Sequence, residues 1–436
     1  MTGGLIRKTS FAAMVAAAGL VMGGISSAQA ADLGGDCCAD LEERVAELEA
    51  TTARKGNRKV SLEVSGQVNE LVFFWDDGLE SNVYQTTNTY SSSRFRMKGS
   101  AKITADWSAG YYIEIDFEGA IGASVTQWDD DPARQPRLRH SAWYLKSNTL
   151  GSVWVGQYSH ATDDIVLYSL GGNSPATASN HNSTAGASFR FHIGGSNLYL
   201  NLSGSQLWQF LDTDRGNIVR YDSPSLAGFV LSAAWGEDDV WDVALRYAGE
   251  FNGVKIAGGI GYYENNENGA RRNFIADVPA DFDEIRGSVS VIHTPTGLFA
   301  NFAAIHREFD LAGKADFNYW YVAGGIYRKF FDIGKTSIYG EYSEATGALE
   351  GLVVGAAGIG RFDANGNAIA GVGAGQLVTN SDITSWGFGV SQDVDAAAMQ
   401  IYLGYRAWEA DFALTGLGPA PLDTIHTVFT GARIQF

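Results

Sequence analysis

From Arg94 to Gly119 apolar and polar residues alternate with a period of two. Phe95, Met97, Ala101, Ile103, Ala105 and Trp107 fall on one side, and Arg94, Arg96, Lys98, Lys102 and Asp106 on the other. After Ser108-Ala109-Gly110 the alternation resumes, with Tyr111, Ile113, Ile115 and Phe117 set against Glu114, Asp116 and Glu118. Successive side chains of a strand point to opposite faces, so the pattern predicts a hairpin with one oily face and one face crowded with charges of both signs. A turn at 108–110, with the register centred on residue 109, brings Lys102 near Asp116, flanked by Glu114 and Glu118; opposite charges across strands favour such a pairing.

The same period recurs to the end of the chain. Val60, Leu62, Val64 and Val68 alternate with Ser61, Glu63, Ser65, Gln67 and Asn69, and later Ile401, Leu403, Tyr405 and Ala407 alternate with Tyr402, Gly404 and Arg406. The runs are near or above the roughly 9–11 residues that cross a bilayer as tilted strands. Tight connections are expected at Ser108 to Gly110, Asn252-Gly253, Pro295 to Gly297 and Asp395 to Ala397. Long polar or Gly-rich ones are expected at Asp76 to Ser91, Gln127 to Pro136, Asn265 to Phe282 and Gly347 to Ser381. Short turns on one side and long loops on the other mark an outer-membrane barrel, and a soluble sandwich has no reason for that asymmetry. Trp107 and Tyr111 lie beside a tight turn, where amphipathic rings suit a headgroup boundary.

A bilayer offers the backbone no water, so a spanning sheet closes into a barrel with its apolar face outside. Burying so many charges in a packed interior would cost several kcal/mol each, so the charged face is expected to line a wet lumen. The fold expected over 59–436 is an all-β transmembrane antiparallel barrel.

The first 58 residues follow other rules. Arg7 and Lys8, the apolar stretch Phe11 to Ile25 and Ala28-Gln29-Ala30 read as an export signal cleaved after Ala30. Residues 31–58 read as a short helical segment. Within it Cys38, Leu41, Val45 and Leu48 recur at spacings of three and four, an a/d seam, with Asp36 placed as a cap. At about two heptads such a helix is marginal alone and gains from being held in an oligomer. A solvated amphipathic linker is the other reading.

Composition narrows the class. Charged residues are 18% of the 436, below the roughly 25% of soluble domains, and there are 53 glycines and 12% aromatics. Mean hydropathy is −0.09, and after residue 30 there is no apolar run of about 20 residues that a spanning helix needs. Removing the export signal takes away two cations and no acid, moving the net charge from −18 to −20, which argues against a nucleic-acid partner. Cys37 and Cys38 are adjacent, so they build no disulfide framework; an interchain bridge and two thiols both remain open. The seven histidines show no H-E-x-x-H spacing, and neither a G-x-S-x-G elbow nor a P-loop occurs. Asp363-Ala-Asn-Gly-Asn367 continues with Ala368 and Ala374 where a calcium loop wants Gly and an acid, and reads as an Asn-Gly turn. Asp129-Asp130-Asp131 reads as a solvated loop or as a cation bridge to lipopolysaccharide. No enzyme, cofactor or metal centre is expected.

SRFRMKGSAKITADWSAGYYIEIDFEG followed by RLRHSAWYLKSNTLGSVWVGQYSHATDD resembles the second to fifth strands and third loop of the general porins of Gram-negative bacteria. GNIVRYDSPSLAGFVLSAAWGED resembles their next strand, turn and strand, and the N-terminal segments are most like the alphaproteobacterial branch. The end VFTGARIQF, closing on Phe436, resembles the recognition signal of outer-membrane proteins. The resemblance implies homotrimers of 16-stranded barrels in the bacterial outer membrane, in contact with lipid and lipopolysaccharide, that pass ions and small hydrophilic solutes. It implies a third loop folded into the lumen, setting acids against wall arginines. By position Arg94, Lys98 and Arg139 match wall cations, with Arg96 and Lys102 on the same ladder, and Arg215 lies one place from a further wall arginine. Asp163 and Asp164 open the matching loop, and Glu114, Asp116 and Glu118 supply acids on the wall. Ser159 to Gly216 is far longer than a usual third loop and holds a hairpin-like piece, FRFHIGGSNLYLNLSG. Counting that piece as wall gives about 18 strands and as insertion about 16; the resemblance favours 16. Two other classes remain: a sugar-specific channel with Trp208, Trp235 and Trp241 as stacking platforms, and a tethering protein that reaches the cell wall through residues 37–53.

Overall fold

The structure, a computed structural model, describes residues 59–132, 136–213, 215–237, 239–266 and 281–436, together with the backbone of 270–272 and 277–279. The export signal and the seam of Cys38, Leu41, Val45 and Leu48 lie outside the described residues.

The wall opens with β1 (Glu63–Asp76). Its neighbour comes in two pieces, β2 (Ser81–Thr87) along the later half of β1 and β3 (Arg94–Lys102) along the earlier half. A 3-10 turn, Thr89–Ser91, divides them, and the Asn88 side chain caps it by accepting from the Tyr90 N–H. β4 (Trp107–Asp116), β5 (Arg137–Ser147) and β6 (Gly151–Ser159) continue the wall. β7 (Arg190–Ile193) and β8 (Leu198–Ser203) leave it, followed by the short helix α1 (Gly204–Trp208). The wall resumes with β9 (Arg215–Asp222), β10 (Phe229–Gly236), β11 (Val240–Phe251) and β12 (Val254–Asn265). A small ladder, β13 (Ala270–Arg272) with β14 (Asp277–Pro279), precedes β15 (Phe282–His293), β16 (Leu298–Phe309), β17 (Phe317–Phe331) and β18 (Gly334–Thr346). β19 (Ile359–Asp363) and β20 (Ala368–Val372) leave the wall again. It ends with β21 (Val378–Val394), β22 (Met399–Leu414), the fragment β23 (Gly418–Pro419) and β24 (Ile425–Gln435).

β24 pairs antiparallel with β1 from Gln67↔Gln435 to Asp76↔His426, so the sheet closes on itself. It holds eighteen strand segments, but β2 and β3 share one position and β23 is a fragment on the end of β22, which leaves a ring of sixteen among the described residues. Alternation sorts the faces: on β1 Val64, Val68, Val72 and Phe74 are exposed, while Gln67, Asn69, Leu71, Phe73 and Trp75 are buried.

Two sequence expectations change. The first turn lies at 103–106, not 108–110, because Thr104 Oγ1 accepts from the N–H groups of Asp106 (3.3 Å) and Trp107 (3.0 Å) and the Ile103 N–H donates to the Trp107 carbonyl. The register therefore sets Arg94 opposite Asp116, Arg96 opposite Glu114 and Lys102 opposite Ser108, so Lys102 does not meet Asp116. The 76–91 stretch is not one long loop: residues 77–80 turn, and β2 follows at once. FRFHIGGSNLYLNLSG stays out of the wall, in keeping with the favoured count of 16 strands. Its strands β7 and β8 extend a separate four-stranded sheet, ordered β20-β19-β8-β7, and α1 follows with a capping box between Ser203 and Gln206. The short-turn, long-loop asymmetry holds elsewhere, except that the loop-end connections at 77–80 and 237–239 are short.

Candidate functional site

The inner faces of β3, β4 and β5 build a charge cluster. β5 carries a bulge: Glu114 pairs with His140 and Ile115 with Leu138, so Arg139 is the extra residue. The bulge shifts the alternation by one, which buries Arg139 and His140 together while Leu138 and Trp143 stay exposed. Glu114 accepts from Arg139 Nε at 2.5 Å and from Arg96 Nε, with Arg94 Nη1 at 3.6 Å and His140 Nδ1 at 3.5 Å. Asp116 accepts from Arg139 Nη1 at 3.1 Å, Arg137 Nη2 at 3.2 Å and Ser92 Oγ at 3.1 Å. Arg94 also gives its Nε–H to the Ser92 carbonyl, 2.9 Å.

This corrects part of the expected water-lined ladder. Arg94, Arg96 and Arg139 are at most 4% exposed, so they meet carboxylates rather than water. Burial is tolerable because each guanidinium has acid or carbonyl partners in good geometry. Lys98 and Lys102 are exposed, and Lys146 on β5 joins them, since Lys102 and Lys146 both lie opposite Ser108 from its two sides. Glu118 falls beyond the end of β4, half-buried in the next loop.

The segment 160–213 folds inside the barrel. At its root Arg220 Nη1 donates to the carbonyls of Ser159 (3.1 Å) and His160 (2.8 Å), and Arg246 Nη2 donates to those of Ala161 and Asp163. Thr162 gives its N–H and hydroxyl to Asp242 Oδ2 at 2.5 and 2.7 Å. Gly261 makes room for it, since a Cβ there would lie 2.5 Å from Thr162 Cγ2. Asp163 reaches Arg215 Nη2 at 3.3 Å, so an acid of the loop does face an arginine at the head of β9. Asp164 holds a left-handed φ of 64° and donates its N–H to Asp212 Oδ1, 3.0 Å. Oxygens of Asp163, Asp164 and Asp212 lie within 4.8 Å of one another, a spacing a cation would accept, and Arg215 brings positive charge beside them. Burial pushes the Asp163 carboxyl above its usual range against the pull of Arg215, and burial with repulsion from Asp163 and Asp164 raises Asp212 well above it. A carboxyl raised in this way costs stability as pH climbs through its range.

From the root the loop follows the inner wall. The Leu170 N–H donates to Ser290 Oγ (2.8 Å), Asn301 Nδ2 to Ser169 Oγ (3.0 Å), Gln400 Nε2 to the Gly172 carbonyl (2.8 Å) and Arg307 Nη2 to the Phe210 carbonyl (2.7 Å). Its apolar residues Phe189, Phe191, Leu202, Leu207 and Trp208 form one core with Leu349, Leu352 and Ile359 of the 347–377 segment and with Phe73, Trp75 and Trp408 of the wall. The lumen is thus narrowed by folded protein, not by a thin strap. Sequence reasoning missed Arg220, Arg246, Arg307 and Arg406. A signal was there for three of them: each is a lone arginine between outward apolar or aromatic residues, in Val-Arg-Tyr, Leu-Arg-Tyr and Tyr-Arg-Ala. The three tryptophans form no stacking row, for Trp208 is buried in the loop core while Trp235, opposite Trp241 across β10 and β11, is 63% exposed.

A closed ring of sixteen strands with an infolded loop between β6 and β9 is a porin architecture, and the sequence profile of Gram-negative porins matches residues 12–412. The chain belongs to the Gram-negative porins. This porin is similar in structure to the outer-membrane protein OmpT of Vibrio cholerae in its trimer form, with a TM-score of 0.52 at 15% identity over 86% of this chain and 99% of that one. An anion-selective porin from Comamonas acidovorans gives a TM-score of 0.52 at 15% identity over 86% and 100%. At such identities the likeness is one of fold. No curated protein matches the sequence. Family and fold make this porin an outer-membrane diffusion channel rather than an enzyme.

Proposed function

We propose that this porin passes small hydrophilic solutes and ions passively, that it favours anions, and that it works as a homotrimer in a lipopolysaccharide-bearing membrane. The observation that carries the selectivity is the exposed set Lys98, Lys102 and Lys146. Lys102, Ser108, Lys146 and Ser152 follow one another across four strands with no acid among them. Wet ammonium groups at the turn end of the lumen raise the local anion concentration, whereas the buried Arg94, Arg96 and Arg139 are already matched by Glu114 and Asp116 and act by shaping the wall. Replacing all three lysines with Gln is expected to move the reversal potential in a salt gradient toward cations across a planar bilayer. An unchanged potential would remove them from the permeation path.

Trimer assembly is supported by a carboxylate on the wrong face. Glu70 sits mid-way along β1, in step with the outward Val68 and Val72, and accepts from Thr87 Oγ1 (3.0 and 3.1 Å) and Ser93 Oγ (2.9 Å). A charge against acyl chains costs about 3 kcal/mol, so this face is expected to be covered by protein, and a second copy is the occupant proposed. Glu70→Ala is expected to turn heat-resistant trimers into monomers on semi-native gels. Trimers of undiminished heat resistance would assign the contact elsewhere. An export signal ending at Ala30, which would deliver the chain to the outer membrane, and a reach toward the cell wall through residues 37–53 belong to the same proposal; both segments lie outside the described residues.

A further inference from the structure

The far end of the infolded loop is gripped by one buried ion pair. Glu341 on β18, Gly387 on β21 and Arg406 on β22 lie in register across three adjacent strands. An acid and an arginine two strands apart are normally kept separate by the side chain between them. Here that side chain is absent: a Cβ on Gly387 would stand 2.9 Å from Glu341 Oε1, in the space the carboxylate uses to reach Arg406. Glu341 Oε1 accepts from Arg406 Nη2 at 2.6 Å and Nε at 2.9 Å, with both side chains at most 2% exposed.

Most of the pair's remaining hydrogen bonds go to the loop, while Tyr321 of the wall strand β17 also donates its hydroxyl to Glu341 Oε2 (3.2 Å). Glu341 Oε2 accepts from the Thr177 hydroxyl, and Arg406 donates to Thr184 Oγ1 (3.0 Å) and the Ala176 carbonyl (3.5 Å). Tyr319 adds its hydroxyl to the Ser179 carbonyl. Two small voids border residues 176–185, about 30 Å³ beside Thr177 to Ser179 and about 10 Å³ beside Ala176, Thr184 and Ala185. The segment is buried, with His181 packed edge-on against Trp208 and Tyr321, and directed polar contacts fix its position within that packing, so a loop end held in this way is expected to shift once they are removed.

We infer that Glu341 and Arg406 are positioning residues of the channel: the pair, made over Gly387, fixes how far the third loop closes the lumen. The inference rests on the reading of that loop as the constriction. Two kinds of variant separate grip from stability. Glu341→Gln with Arg406→Gln removes the pair and its charges together, whereas Thr177→Ala with Thr184→Val leaves the ion pair and its 3.5 Å contact to the Ala176 carbonyl intact and removes its two hydroxyl contacts to the loop, together with those the same hydroxyls make to Tyr321 and Tyr90.

Each variant, refolded in detergent and checked for heat-modifiable migration, is expected to give larger single-channel steps, by about 1.5- to 2-fold, with noisier open levels and passage of larger neutral polyethylene glycols. The charge-swapped Glu341→Arg with Arg406→Glu is expected to bring the step size part of the way back. If the parent conducts and the threonine variant matches it in step size, noise and polymer cut-off, the inference is wrong. If the folded parent itself passes no current, the reading of the loop as a constriction fails instead.

Discussion

Glu114→Ala is expected to cost this porin about 3–5 kcal/mol of barrel stability, the range for removing one partner of a buried ion pair. Glu114 is fully buried and sits among Arg96, Arg139 and Arg94, so its loss leaves three guanidinium groups facing one another with Asp116 as the nearest remaining acid. Arg139 is the most exposed to the consequences, because the bulge points it inward and it cannot rotate back to water without unpairing β5 from β4. The measurement is the urea midpoint of the refolded barrel, followed by its heat-modifiable migration. Glu114→Gln keeps the shape and one acceptor and should fall between the parent and the Ala variant. Adding Arg139→Met to Glu114→Ala should recover part of the loss, since it removes a charge that no longer has a partner. A midpoint that stays put in the Ala variant would mean that water reaches these arginines and that the cluster is a pore lining after all.

How much of this was legible in the sequence varies with the range of the interaction. The wall was readable because its period is local: outward Phe95, Met97, Ile113 and Ile115 and inward Arg94, Arg96, Glu114 and Asp116 follow from alternation alone, and alternation survives a misplaced turn. The register did not, because it depends on which residues turn. Thr104 closes the chain through a side-chain bond that composition does not advertise, whereas Ser108-Ala109-Gly110 looks like a turn and lies in a strand. The bulge at Arg139 was invisible for a related reason, as one extra residue alters the phase of β5 without altering its composition.

The lumen contents were the least legible part. FRFHIGGSNLYLNLSG alternates like a wall strand, so its pattern alone leaves wall and insertion open; the resemblance favours insertion, and its partners, β19 from a segment about 160 residues later and the inner rings of β1, agree. The expectation of a wet interior came from counting charges, and it overlooked that Glu114 with Arg96 and Glu341 with Arg406 satisfy one another within the wall. Charge on an inner face therefore argues for a polar interior, while its wetness depends on pairing that only the three-dimensional register supplies.

Removing the hairpin insert is expected to have the largest effect on conduction. The Ser205 N–H donates to the Ala187 carbonyl at 2.7 Å, so the two ends of residues 188–204 already touch, and joining Ala187 to Ser205 asks little of the chain. The excision takes out β7, β8 and the rings of Phe189, Phe191 and Tyr199, together with the His192 to Asp423 contact at 2.6 Å that fastens the insert to the 415–424 loop. No described wall strand pairs with these residues, since β7 and β8 pair with each other and with β19 and otherwise bond to the 421–423 loop, through the Ile193↔Leu422 bridge, so the closed ring is left intact. What changes is the inner surface: Phe73, Trp75 and Tyr84 lose the Phe189 ring that packs 4.8 to 6.2 Å from them and turn toward water. Losing burial of about 1.5–3 kcal/mol for each large side chain should lower the thermal transition, yet the hydrogen-bonded wall should still fold and trimerise. The unit conductance should rise about two- to fivefold, with a matching rise in the largest polymer admitted, because the insert and the 347–377 segment share one core and removing half of it loosens the rest. Should the shortened porin fold and keep the parent's conductance, ions must already pass through a part of the lumen that the insert does not fill, and the insert would be an outer cap with no part in limiting flow.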